Sequence, residues 1–219
     1  ALALPAKELW STLERVGFGT PSGSGYPGEV SGRLRPYQRW RPIEQATMSY
    51  GHGISVSLLQ LARAYTVFAT DGRLLPVSFL KVPAPAAGER VFSPQFAQAV
   101  RDMLELAVQP GGTAPAARVL GYRVAGKTGT AHKLVDGRYA PNLYVSSFVG
   151  LAPASRPRLV VAVMVDEPRA GEYYGGVVAA PVFARVVEGT LRMLDVPPDA
   201  PMDPGLLAPE GLVPVREEV

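Results

Sequence analysis

The chain has 219 residues, no cysteine and a formal net charge of +3, with 47% hydrophobic and 19% charged residues. That length allows one sizeable core and that balance is globular, not disordered. Absence of cysteine excludes disulfides, thiolate metal sites and a cysteine nucleophile, and the Lys and Arg residues are scattered and form no stripe for nucleic acid.

Residues 6 to 16 predict a helix, with Leu9, Leu13 and Val16 at helical spacing and Gly17 as its stop. Residues 17 to 42 are rich in turn formers and predict a long loop, ordered or mobile. A helix follows at about 55 to 70, capped by Ser55, striped by Leu58, Leu61, Ala62, Tyr65 and Phe68, and ended by Asp71-Gly72. Leu74 to Val82 reads as a strand that runs into the breakers between Pro83 and Gly88. Ser93-Pro94 opens another helix, with Phe96, Val100, Met103, Leu104 and Ala107 facing inward. After the loop Gly111-Gly112-Thr113, three strands are expected at about 122 to 132, 143 to 152 and 158 to 166. Asp136-Gly137 is a hairpin turn signal between the first two. A last helix at about 179 to 194 carries Val182, Phe183, Val186, Val187, Leu191 and Leu194.

The pattern is α+β, an antiparallel sheet flanked by helices. Residues 1 to 195 are expected to form one body, and 196 to 219, with six prolines, an extended or disordered tail. Three strands are few for an independently stable sheet. No apolar run approaches the roughly 20 residues that span a bilayer. The start, Ala1-Leu2-Ala3-Leu4-Pro5, lacks the basic region of a signal peptide. Targeting or anchoring is therefore expected to be carried by other sequence.

Three motifs compete. Gly121 to Thr128 satisfies the literal phosphate-loop pattern, and the apolar run ending at Asp166-Glu167 imitates the companion strand of a P-loop NTPase. A phosphate cradle, however, needs a tight loop leading into a helix, and Tyr122-Arg123-Val124-Ala125 favours a strand. Ser78-Phe79-Leu80-Lys81 matches S-x-x-K, which works when Ser opens a helix and Lys lies one turn on. On a strand Lys81 faces away from Ser78, so Ser78 reads as an ordinary serine.

Lys127-Thr128-Gly129-Thr130 is the third, a K-T-G strand. On a sheet edge Thr128 and Thr130 share a face and offer two hydroxyls to a carboxylate. Gly129 lets a peptide approach the backbone and pair with it, and Lys127 supplies a positive charge. Taken alone, the tetrapeptide is equally a solvated lysine beside two β-favouring threonines.

The surroundings carry more. Met48 to Ser57, Leu61 to Tyr65 and Ala69 to Gly72 resemble the run ahead of the K-T-G strand in class B penicillin-binding proteins. Tyr26 to Glu29, Val124 to Ala131, Ser147 to Pro153, Val165 to Pro168, Tyr173 to Gly176 and Ala180 to Phe183 continue the likeness in order. It covers about residues 1 to 198 and is greatest with the cell-division, penicillin-binding protein 3 type. The resemblance implies a penicillin-binding/serine β-lactamase-like transpeptidase domain. It also implies a periplasmic D,D-transpeptidase of septal wall synthesis that cross-links D-Ala-D-Ala stem peptides through a serine acyl-enzyme.

By the same resemblance Lys127 belongs to the charge network around the serine. Thr128 and Thr130 bind the terminal carboxylate of a stem peptide or β-lactam, and the Thr130 N–H completes the oxyanion hole. Tyr144, Tyr173 and Tyr174 match an aromatic wall of the cleft, or are surface and core aromatics. His132 stands where relatives often carry Arg. His52 is expected to be structural, and Asp166-Glu167 a turn and not an acid/base pair. No cofactor or metal is expected. Partners are the stem peptide, β-lactams as covalent inhibitors, other cell-division proteins and the N-terminal part of the same protein, at the outer face of the bacterial inner membrane. Nucleic acid is not among them.

The 219 residues contain no helical S-x-x-K and no S-x-N, which the family places upstream of K-T-G. A non-catalytic penicillin-recognising sensor thus stays an alternative, with the P-loop NTPase behind it. The isolated chain is expected neither to form an acyl-enzyme nor to cross-link peptidoglycan. Stoichiometric labelling of it by a fluorescent penicillin would refute that.

Overall fold

The computed structural model describes residues 2–84 and 86–202. Chain order gives helix α1 (Ala6–Arg15), α2 (Pro42–Met48), α3 (Leu58–Ala69), the short strands β1 (Arg73–Leu74) and β2 (Glu89–Arg90), and α4 (Pro94–Leu106). Strands β3 (Ala125–Val135), β4 (Arg138–Ala152) and β5 (Leu159–Asp166) follow, then α5 (Gly175–Val178) and α6 (Ala180–Met193). The α+β expectation holds: β3, β4 and β5 form an antiparallel sheet in that order, so β3 is an edge.

Local chemistry sets most boundaries. Ser93 caps α4 by accepting from the Phe96 N–H, with Pro94 in the first turn. Asp136 and Gly137 both have positive φ, 49° and 77°, as a two-residue hairpin turn requires. The cap of α3 is Ser57 and not Ser55, because Ser57 and Gln60 form a reciprocal capping box. The buried side of α3 is Gln60, Ala64 and Val67, one position off the expected stripe. In α4 the buried positions are Ala97 and Arg101, while Phe96 and Met103 are exposed. In α6, Phe183, Val187 and Leu191 are buried as expected, whereas Val182 and Val186 face outward.

The expected strand at 74 to 82 is mostly absent. Only Arg73 and Leu74 pair, with Arg90 and Glu89. Pro76 removes a ladder donor beyond them, and the Ser78 hydroxyl closes a local turn onto Leu80. Ser78 is thus neither on a helix nor on a strand. The loop before α3 holds a missed helix, α2, with Pro42 in its first turn and Glu44 bonded back to the Arg41 N–H. That loop is ordered by Gln60, whose buried amide donates to the carbonyls of Thr20 (2.7 Å) and Ser31 (2.8 Å).

The sheet is covered on both faces. Phe148 of β4 meets Phe183 of α6 edge-on, centroids 4.7 Å apart, within a cluster that includes Val108, Ala117, Val187 and Leu191. On the other face Ala125, Leu151 and Val160 pack with Phe68 of α3 and Leu104 of α4. Residues 196 to 202, expected to begin the tail, lie on this body. Val196 is buried, and the Asp199 carboxylate accepts from the Arg123 N–H and from Ser155. The rest of the expected tail, 203 to 219, lies outside the described residues.

Gly126 precedes the K-T-G tetrapeptide and backs directly onto this core. A Cβ there would stand 2.4 Å from the Phe148 ring and 2.7 Å from the Val149 carbonyl oxygen. Phe148 is fully buried and cannot withdraw. Gly126→Ala is expected to destabilise the fold by about 1–3 kcal/mol, measured by denaturant unfolding.

Candidate active site

Cross-strand partners fix which way each residue of the tetrapeptide faces. Thr128 lies opposite Phe148 and Thr130 opposite Ser146, so both threonines take the face covered by α5 and α6. Lys127 and Gly129, opposite Val149 and Ser147, take the other face. The lysine nevertheless turns back, and its Nζ donates to Thr128 Oγ1 at 2.9 Å. Thr128 is nearly buried and donates in turn to Thr113 Oγ1 at 3.1 Å. Thr130 Oγ1 accepts from the Gly175 N–H at 3.1 Å, which leaves its own proton able to donate.

Glycines make this proximity possible. A Cβ on Gly175 would come within 2.3 Å of the Ser147 carbonyl and 2.7 Å of the Gly129 carbonyl. A Cβ on Gly129 would meet Ser147 Oγ at 2.6 Å. The start of α5 therefore rests on the β3–β4 backbone, at the level of the two threonines.

The segment between β5 and α5 lies across the same strands. Its first residue, Glu167, donates its N–H to the Tyr144 carbonyl at 2.9 Å, and Ser146 donates its hydroxyl to the Tyr173 carbonyl. These two bonds align an aromatic row. Tyr144 stacks on Tyr173 with centroids 3.9 Å apart and planes 8° apart, and Tyr173 leans on Tyr174 at 4.5 Å. His132, the cross-strand partner of Tyr144, extends the row at 4.6 Å, and its Nδ1 lies 3.1 Å from the Ala140 carbonyl. Burial, with Tyr173 adding to it, raises the Tyr144 phenol pKa above its ordinary value. The stacked rings offer flat apolar faces with polar tips.

Asp166 and Glu167 form an ion cluster and not an acid/base pair. Lys133 donates to both, at 2.7 and 2.8 Å, and Arg169 adds 3.2 Å to Glu167. Glu167 holds a positive φ of 52° there. Lys133 lowers the Glu167 pKa, with Arg169 contributing, and the two carboxylates raise that of Lys133, Asp166 first. His52 is packed between Tyr50 and Tyr139, at 5.3 and 5.6 Å.

The phosphate-loop reading fails on geometry. Gly126-Lys127-Thr128 lies inside β3, which continues to Val135 where a helix would have to begin. Among the described residues no group of His, Asp and Glu could hold a metal ion, and no helix is long and apolar enough to cross a membrane. Serines that do open helices, Ser57 and Ser93, have Gln60 and Phe96 one turn on, so neither has a lysine beside it. Thr113, absent from the sequence expectations, belongs to the site; its signal was a hydroxyl following two glycines.

The edge strand β3 thus brings Lys127 and the hydroxyls of Thr128 and Thr130 beside a row of stacked tyrosines. The profile of the penicillin binding protein transpeptidase domain matches residues 1–188, and the chain belongs to that family. Among curated relatives, "Probable peptidoglycan D,D-transpeptidase PenA" of Neisseria meningitidis (serogroup A) is 50% identical over 90% of this chain and 34% of its own length. "Peptidoglycan D,D-transpeptidase FtsI" of Escherichia coli K12 is 45% identical over 91% and 34%. The solved transpeptidase domain of penicillin-binding protein 3 from Burkholderia pseudomallei, in its apo form, superposes with a TM-score of 0.85 at 54% identity, covering 90% of this chain and 60% of that one. The chain thus spans about a third of the length of these curated relatives.

The Lys133 cluster anchors the aromatic segment, so Lys133→Met is expected to speed amide hydrogen exchange across residues 167 to 175. The cluster's pH limits follow from its shifts. Glu167 has a lowered pKa, so its contribution is present above the ordinary 4.5 and lost as pH falls through the folded value. Lys133 has a raised one, so its contribution is complete below 10.5 and lost as pH rises through the folded value. The mutant's excess exchange over wild type should therefore be greatest between those limits and shrink as pH falls through the lowered Glu167 value or rises through the raised Lys133 value.

Proposed function

We propose that this chain supplies the substrate-binding strand of a peptidoglycan D,D-transpeptidase that acts through a serine acyl-enzyme and is a β-lactam target. The observation that carries it is the placement of Thr128 and Thr130 on one face of an edge strand, beside Lys127 and under the Tyr144–Tyr173–Tyr174 row. A stem peptide ending in D-Ala-D-Ala lies along β3 and adds to it as an antiparallel partner. Its terminal carboxylate accepts from the Thr128 and Thr130 hydroxyls, with the Lys127 ammonium close by. The Thr130 N–H serves as an oxyanion donor as the tetrahedral intermediate forms. Attack by the serine expels D-Ala, and an amine of a neighbouring strand then takes the acyl group.

The reading assigns the attacking serine and its base to the share of the relatives' length that this chain does not span. The FtsI and penicillin-binding protein 3 likenesses support a septal role, a position outside the cytoplasmic membrane and partners among cell-division proteins. Residues 1 to 195 act here as the later part of the catalytic domain.

The test is acylation of the intact gene product by a fluorescent penicillin. The unaltered protein should take up one label per chain. Lys127→Ala should slow acylation by about 100-fold or more, as expected for loss of a group that acts on developing charge. Labelling that is absent in the unaltered protein, or unchanged in the variant, would refute the reading.

A further inference from the structure

The loop after α4 reaches the cleft from beneath β3. Gly111 has a φ of +84°, and a Cβ on Gly112 would lie 2.4 Å from the Ala107 carbonyl, so two glycines let the chain fold tightly under the helix end. The Ala114 N–H, donating to that same carbonyl at 2.9 Å, locks the turn. Thr113 is then held from the other side by α5, since its carbonyl lies 2.0 Å from where a Cβ of Gly176 would be. Backbone on both sides fixes Thr113, and its hydroxyl meets that of Thr128 at 3.1 Å.

A hydroxyl has one proton and two acceptor sites. In this arrangement the Thr128 proton is directed at Thr113, and the Thr128 oxygen accepts from Lys127. To bind a carboxylate, Thr128 must turn that proton into the cleft. Thr113 has a proton of its own and can donate it back to the Thr128 oxygen across the same 3.1 Å contact. The pair reverses, and neither oxygen loses its partner.

We propose that Thr113 is a positioning residue for carboxylate recognition: it holds Thr128 in a reversible hydroxyl pair that reverses when a carboxylate arrives. The inference rests on the transpeptidase reading above. It places part of the selectivity for carboxylate-bearing ligands outside the K-T-G tetrapeptide, on a residue that need not touch the ligand. Ser can replace Thr at position 113, because only the hydroxyl is used, and Val cannot.

Stopped-flow acylation of the intact gene product by benzylpenicillin separates reversible binding from the chemical step. Thr113→Val should weaken the reversible step about 5- to 10-fold, the size of one neutral hydrogen bond, with the saturated acylation rate nearly unchanged. Thr113→Ser should restore wild-type binding. In a Thr128→Val background, Thr113→Val should add nothing. Thermal melting of each variant checks that the fold is intact. Wild-type binding in Thr113→Val, failure of Ser to rescue, or an equal loss when Thr128 is already Val would each overturn the proposal. An unaltered protein that takes no penicillin overturns the transpeptidase reading and this inference with it. That result is distinct from a reactive wild type matched by its Val variant.

Discussion

The cleft depends on the register of β3 against β4. Side chains alternate along a strand, so a slip of one residue would move Thr128 and Thr130 to the opposite face and bring Lys127 and Gly129 beneath α5. The Asp136-Gly137 turn does not prevent it, because the pairing shifts between His132 and Leu134. Phe148, fully buried against Phe183, does, because only the observed register puts Gly126 and Thr128 beside that ring. A core contact thus decides which way the two threonine hydroxyls point.

On that frame the remaining parts are brought together by backbone at close range. Gly175 and Gly176 carry no side chain where α5 crosses Gly129, Ser147 and Thr113. The Gly175 N–H, the Ser146 hydroxyl and the Glu167 N–H each bond one side of the aromatic segment to β3 or β4. Lys133, reaching Asp166 and Glu167 across β4, fixes where that segment leaves the sheet. The tyrosine row and the threonine pair are therefore one construction with shared supports.

Elements governed by neighbouring residues were legible in the sequence. Ser93-Pro94 and Asp136-Gly137 act within a turn of themselves, and both do what their chemistry suggests. Elements that depend on distant partners were not. Leu74 to Val82 has β-favouring residues but no strand beside most of it, and pairing cannot be read from one strand alone. In α3 the polar Gln60 is buried because it ties down a loop 29 to 43 residues away, so the apolar stripe found Phe68 but missed the most buried line, Gln60, Ala64 and Val67. The site divides likewise. K-T-G was ambiguous by itself, since a phosphate loop has the same letters, and only the continuation of β3 to Val135 separates the two. Thr113 meets Thr128, 15 positions further along the chain, and the two glycines before it mark a turn without naming the partner.

The most direct test of the account is a crystal structure of the intact gene product acylated by a β-lactam that carries a single carboxylate. The account predicts that carboxylate within hydrogen-bonding distance of both the Thr128 and Thr130 hydroxyls, with the acyl chain running along β3 past the Tyr144–Tyr173 stack. A covalent adduct whose carboxylate lies on the Gly129 side of the strand, or away from β3 altogether, would contradict it.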